Sequence, residues 1–274
     1  MDVQLLLGFW LIGALLVVSI ALTALRTVPQ KMAVWRAPIT ARRVALTIDD
    51  GPTSDSAALL DALAASGVRA SFFCIATRLE QNQAIGERAL REGHELCNHT
   101  YSHSRRFAMR GEQFASEEIA RADAVLARFG ASAQSRRYVR AVAGICSPPV
   151  GRAAKRLGKR LVHWTATARD GGPLRVSTEQ ALARLRPGLV PGGILVIHDR
   201  PGQPTAALIA PLVAEAKKLG LEFVPLSDLL SSSASVQLLD KIRGPDPSLC
   251  QHHAPMAPSD ELNVKAMTKR SLLS

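Results

Sequence analysis

The sequence predicts an α/β fold: a parallel sheet, open or closed into a barrel, with helices between successive strands. Three observations predict it. Short apolar runs alternate with stretches of helical spacing from Val44 to Val224. Asp50, His99, Arg140, Asp170 and His198 each lie just past one of those runs, and functional residues of such sheets collect at the carboxyl ends of the strands. A chain of 274 residues that is 47% hydrophobic and only 4% aromatic is long enough for one large domain with an aliphatic core, and too apolar to be disordered.

The first strand is Val44-Ala-Leu-Thr-Ile48, which stops at Asp49-Asp50-Gly51-Pro52. Leu59, Leu60 and Leu63 give Ser54 to Ser66 a helical spacing, and Gly67 closes that helix. Arg69 to Ile75 reads as a strand, Thr77 to Arg91 as one helix ended by Gly93, and His94 to Cys97 as a short strand before a loop with His99 and His103. The order continues with a helix over Glu112 to Phe129, a strand over Tyr138 to Arg140, a helix over Pro148 to Leu157 closed by Gly158, and a strand over Leu161 to Trp164. A helix over Thr178 to Leu185, a strand over Gly193 to Ile197, a helix over Thr205 to Leu219 and a strand over Leu221 to Val224 complete it.

The ends of the chain differ in character from this middle. Leu5 to Leu25 is apolar and free of charge, close to the roughly 20 residues that cross a bilayer core, so residues 1–26 are expected to be a transmembrane anchor. A cleaved signal peptide fits less well, because only Asp2 precedes the run and the run is too long. Residues 27–42 read as a linker, 43–230 as the domain, and 231–274, with Ser231-Ser-Ser233 and several prolines, as a poorly ordered tail. Arg26, Lys31, Arg36, Arg42 and Arg43 follow the span, so the positive-inside rule favours a cytoplasmic domain and leaves the membrane side open.

The formal net charge of +11 admits anionic lipid, a phosphorylated sugar carrier or nucleic acid as a partner. The basic residues are scattered through helices without aromatic interleaving, which reads as solvated helix faces and argues against nucleic acid. Cys74, Cys97, Cys146 and Cys250 form no metal-binding spacing, and Cys74 and Cys97 read as small core hydrophobes.

Adjacent carboxylates at a strand end repel, which raises one pKa or demands a cation. His99 and His103 stand four residues apart, so on a helical turn both imidazoles would project from one face. With Asp50 they make a three-ligand set that leaves positions for water and substrate on a divalent ion such as Zn, Co or Ni.

Thr47-Ile-Asp-Asp-Gly-Pro52, His99-Thr-Tyr-Ser-His103 and Leu195-Val-Ile-His198, in this order, resemble the signatures of the polysaccharide deacetylase family (NodB homology, carbohydrate esterase family 4). The resemblance covers about residues 43 to 228 and implies a distorted (β/α) barrel. It implies that Asp49 is the general base, Asp50, His99 and His103 the metal ligands, and His198 the general acid. Arg140-Ala-Val-Ala-Gly144 is similar to the third motif, in which Arg140 would orient Asp49 and the backbone at Ala143 and Gly144 would meet substrate. Two prolines of the usual motif are missing here, and Ala143 replaces a common Tyr, which bears on how a sugar packs. Trp164 and, six residues later, Asp170 are similar to the fourth motif; Trp164 would wall the acyl pocket and Asp170 would hydrogen-bond His198.

The resemblance therefore implies a metal-dependent hydrolase that removes an acyl group from an N-acylated sugar of a glycan or oligosaccharide. Two alternatives stand beside it. One is a deformylase or deacetylase of a lipid-linked sugar, favoured by the anchor and the basic linker; the other is a catalytically silent glycan-binding protein of the same fold.

Overall fold

The computed structural model describes residues 33–172 and 175–231, together with Trp10 and Gly13. The run Leu5–Leu25 and the tail from 232 onward lie outside the described residues, apart from those two positions. Among the described residues no helix is long and apolar enough to cross a membrane.

The strands are β1 (Ala33–Val34), β2 (Arg43–Asp49), β3 (Ser71–Cys74), β4 (Glu95–Asn98), β5 (Tyr138–Val139), β6 (Arg160–Val162), β7 (Ala166–Thr167), β8 (Ile194–His198) and β9 (Glu222–Phe223). All pair in parallel, in the order β1-β6-β5-β4-β3-β2-β8-β7, with β9 also on β2. β6 and β7 are two halves of one run interrupted at His163-Trp164-Thr165. The first half pairs with β5 and the second with β8, so the sheet curls back toward its own beginning. That is the distorted barrel the resemblance implies. β2 is covered on both sides, and every residue after Arg43 is buried, as a central parallel strand requires.

The helices are α1 (Ser56–Ser66), α2 (Ala76–Gln81), α3 (Gln83–Arg91), α4 (Gly111–Arg128), α5 (Ala133–Arg136), α6 (Pro148–Arg156), α7 (Thr178–Leu185), α8 (Thr205–Lys218) and α9 (Leu226–Ser231). α1 packs on α8, and α4 on α6. Gly67 at φ +67° ends α1, and a capping box between Ser177 and Gln180 starts α7.

Four expectations need correction. The single helix over Thr77 to Arg91 is two, because Asn82 breaks it and donates its side-chain amide to the carbonyls of Arg78 and Pro52. The strand over Leu161 to Trp164 ends at Val162, where the chain switches from one strand neighbour to the other. Ala33 and Val34, within the expected linker, pair with Leu161 and Val162. Helices α5 and α9 were not expected.

α9 matters most of these. Ala45, Phe73, Cys97, Tyr138, Val162 and Ile194, one from each of six strands, form an inner cluster with Leu226, Leu229 and Leu230. α9 therefore plugs the amino-terminal end of the barrel interior. Its start is tied down by Ser71 Oγ, which accepts from Leu226 N at 2.9 Å, and by Glu95, which accepts from the Ser227 hydroxyl.

Candidate active site

The opposite, carboxyl end of the same interior carries the polar residues. Asp49 and His198 are direct cross-strand partners at the ends of β2 and β8, and Asn98 pairs with Val139, which sets His99 beside Arg140. Adjacent parallel strands thus bring four motifs together.

Asp50 follows β2 at φ +74°, outside the comfortable range of a non-glycine residue, and its backbone carbonyl accepts from Arg78 at 2.9 Å. One carboxylate oxygen, Oδ1, lies 3.5 Å from His99 Nε2 and 3.4 Å from His103 Nε2. The three donor atoms lie within 4.8 Å of one another, a group that could hold a metal ion. His99 Nδ1 donates to the Arg140 carbonyl at 2.9 Å, which leaves Nε2 with its lone pair directed at Asp50. The donor set and the tautomer both fit a divalent ion.

The pair His99 and His103 converges, but not through a helical turn. Thr100 and His103 both have positive φ, at 69° and 53°. The turn is held by Asn98 Oδ1 accepting from Thr100 N, Thr100 Oγ1 accepting from His103 N, and Glu118 accepting from both N and Oγ of Ser102. Side-chain bonds to the backbone compete successfully with helix here.

Burial raises the Asp50 carboxyl, but His99, with His198 and His103, outweighs it and holds the group below the usual carboxylate range. Burial, with His99 beside it, pushes His103 down to about 4. Both groups are therefore in ligand form near neutral pH.

Arg140 is completely buried. It donates to Asp49 Oδ1 at 2.6 Å, to Thr47 Oγ1 at 2.8 Å and to the His163 carbonyl at 2.9 Å, with its guanidinium 4.0 Å over the Phe73 ring. His198 Nδ1 lies 2.7 Å from Asp170 Oδ1, and its backbone N–H donates to Oδ2 at 3.0 Å. Burial lowers the His198 imidazole, yet the Asp170 bond and the charges of Asp49, Asp170 and Asp50 together raise it above its ordinary value. Gly171 closes on this ring, since a Cβ there would stand 2.7 Å from His198 Nε2.

The third motif turns over Val142–Gly144, with Ala143 at φ +53° and Gly144 at +69°. Gly144 N–H bonds the Ala141 carbonyl and Ile145 N–H the Val142 carbonyl, so the two following amides are spent within the turn. Trp164 packs directly on Gly144, and its ring centroid lies 5.7 Å from the Arg140 guanidinium carbon. All ten residues singled out from the sequence thus lie in this one region.

Several more belong to it that no motif signalled. Arg200 Nε lies 3.1 Å from the second carboxylate oxygen of Asp50, Oδ2. Asp199, raised by burial, accepts from Thr53 at 2.7 Å and from Ser56, and holds the loop after Asp50. Glu118, Gly171 and His163 complete the set. Only Asp199, by adjacency to His198, carried a local hint.

Fold and site together define a curled parallel-sheet protein with an Asp-His-His cluster, a buried Asp–Arg pair and an Asp–His pair at the strand ends. Comparison with known proteins gives the family. The polysaccharide deacetylase family model matches residues 36–162. A chitooligosaccharide deacetylase of Sinorhizobium fredii is 32% identical over 64% of this chain and 77% of its own. A peptidoglycan-N-acetylglucosamine deacetylase of Listeria monocytogenes is 27% identical over 74% of this chain, which spans only 42% of that relative's length. A family 4 acetyl xylan esterase from Clostridium thermocellum, solved with a cobalt ion, is 29% identical, with a TM-score of 0.61 over 69% of this chain and 90% of that one. The chain belongs to the polysaccharide deacetylase family.

Proposed function

We propose that this protein is a metal-dependent hydrolase that removes the acetyl group from N-acetylglucosamine units of a glycan or oligosaccharide. The observation that carries the reading is the convergence of three charge-complementary groups on one barrel mouth: Asp50 with His99 and His103, Asp49 with Arg140, and Asp170 with His198. The names of the chitooligosaccharide and peptidoglycan deacetylases above support the substrate class, and the cobalt-bound relative supports a divalent ion, of which Zn is our assignment.

Asp50, His99 and His103 would hold a divalent ion, which when bound would act as a Lewis acid toward the amide carbonyl and lower the pKa of a neighbouring water. Arg140 fixes the Asp49 carboxylate so that it accepts the proton of that water. The Ala143 N–H donates to the carbonyl oxygen as negative charge develops there. His198, oriented by Asp170 through Nδ1, presents Nε2–H to the departing amine nitrogen. Trp164 walls the side where the acetyl methyl rests.

The apolar run Leu5–Leu25 anchors this domain to a membrane, with the basic residues after it favouring the cytoplasmic side. That placement favours a second substrate, a lipid-linked N-acylated sugar. Acetate release from N-acetylglucosamine oligomers and from a polyprenyl-linked sugar, measured side by side with the purified chain, separates the two. Release from neither, with metal bound, contradicts the hydrolase reading and favours a silent glycan-binding protein.

A further inference from the structure

The turn Ala141–Gly144 has nothing in its own sequence to stiffen it. It is Ala-Val-Ala-Gly, with two consecutive residues in the left-handed region, and Ala143 holds φ +53° only if its surroundings enforce it. The side chain that hydrogen-bonds this turn from outside it is that of His163. Its ring stacks on Trp35, with centroids 3.8 Å apart and 11° between the planes, and leans at 37° against Trp164, 3.9 Å away. Its Nε2 is 3.0 Å from the Gly144 carbonyl, and because a carbonyl only accepts, Nε2 carries the hydrogen. Nδ1 has no hydrogen-bond partner among the described residues, so the side chain's one polar contact is the one to the turn. Burial pushes the imidazole down to about 4, so the ring is neutral near pH 7.

The backbone of the same residue works on the other side of the site. His163 N–H donates to Val34 at 2.8 Å, and its carbonyl accepts from Arg140 at 2.9 Å. One residue thus holds both the arginine that orients Asp49 and the turn that carries the Ala143 N–H. Gly144 is as closely constrained, since a Cβ there would fall 2.9 Å from His163 Nε2.

We propose that His163 is a positioning residue: its Nε2–H, clamped by Trp35 and Trp164, fixes the Gly144 carbonyl and with it the direction of the Ala143 N–H. The kinetic consequence rests on the deacetylase reading above, whereas the anchoring of the turn does not. Two variants of the full chain separate the components. His163→Phe keeps a flat ring in the stack without a donor, and His163→Gln keeps a donor near the position of Nε2 without the ring.

The measurements are kcat and KM for acetate release from N-acetylglucosamine oligomers with added Zn, and amide hydrogen exchange of Gly144 and Ile145 without substrate. His163→Phe is expected to lower kcat about 10- to 100-fold at nearly unchanged KM, and to speed exchange about tenfold, with His163→Gln restoring most of both. Wild-type kcat and exchange in a folded Phe variant would overturn the proposal. If the Phe variant does not fold, the Gln variant decides, and loose exchange with the donor retained overturns the proposal. A wild-type protein that releases no acetate from these oligomers or from a polyprenyl-linked sugar sinks the deacetylase reading instead, and the exchange rates alone then decide whether His163 holds the turn.

Discussion

Arg140 and Asp49 form a buried ion pair, and the other Arg140 donors go to Thr47 Oγ1 and to the carbonyls of Val162 and His163. Removing one member leaves the other buried and uncompensated. Arg140→Leu should therefore cost about 3–5 kcal/mol of stability, measured by denaturant titration, besides abolishing turnover. His198 behaves differently because its partner sets a pKa. As a general acid it must be protonated, so activity falls as pH rises through its pKa. Asp170→Asn removes a cause of the upward shift, and the alkaline limb of the kcat profile should move to lower pH. An unmoved limb with an otherwise active variant would contradict the assignment. His198→Ala should lower kcat by about 10²–10⁴-fold.

At the scale of elements, the motif residues were legible because each ends or follows an apolar run, and strand ends meet in space. What surrounds them was not. Glu118 is one acid among several on α4, and nothing in its spacing shows that it grips Ser102 from across a loop. His163 lies in none of the motifs, since its role comes from the break between β6 and β7. Helix α9 was missed for a related reason: six residues are too few to show a period, and its leucines acquire meaning only as a plug for the inner cluster. Two predictions belong here. Glu118→Ala should loosen the His99–His103 turn and weaken zinc affinity by about 10- to 100-fold by calorimetry, as removal of outer-shell partners does. Leu229→Ala, at the far end from the chemistry, should cost about 2–5 kcal/mol and leave KM unchanged.

For the whole molecule, burial sets the acid response. His94 and His163 are both pushed down to about 4, so between their unfolded value near 6.5 and pH 4 the unfolded chain binds protons that the folded chain refuses. Stability should fall as pH drops through that window. Asp50, held low, adds to the fall where the unfolded carboxyl titrates, while Asp199 and His198, both held high, oppose it. Denaturation midpoints at pH 7, 5 and 4 give the sign. In the proposed function, the Asp50, His99 and His103 cluster holds a metal on which deacetylation depends. The most direct measurement is zinc content and acetate release from N-acetylglucosamine oligomers by the wild-type chain and by Asp50→Ala. Near-stoichiometric zinc and chelator-sensitive release are expected in the wild type, with loss of both in the variant. Undiminished acetate release by Asp50→Ala would contradict that dependence.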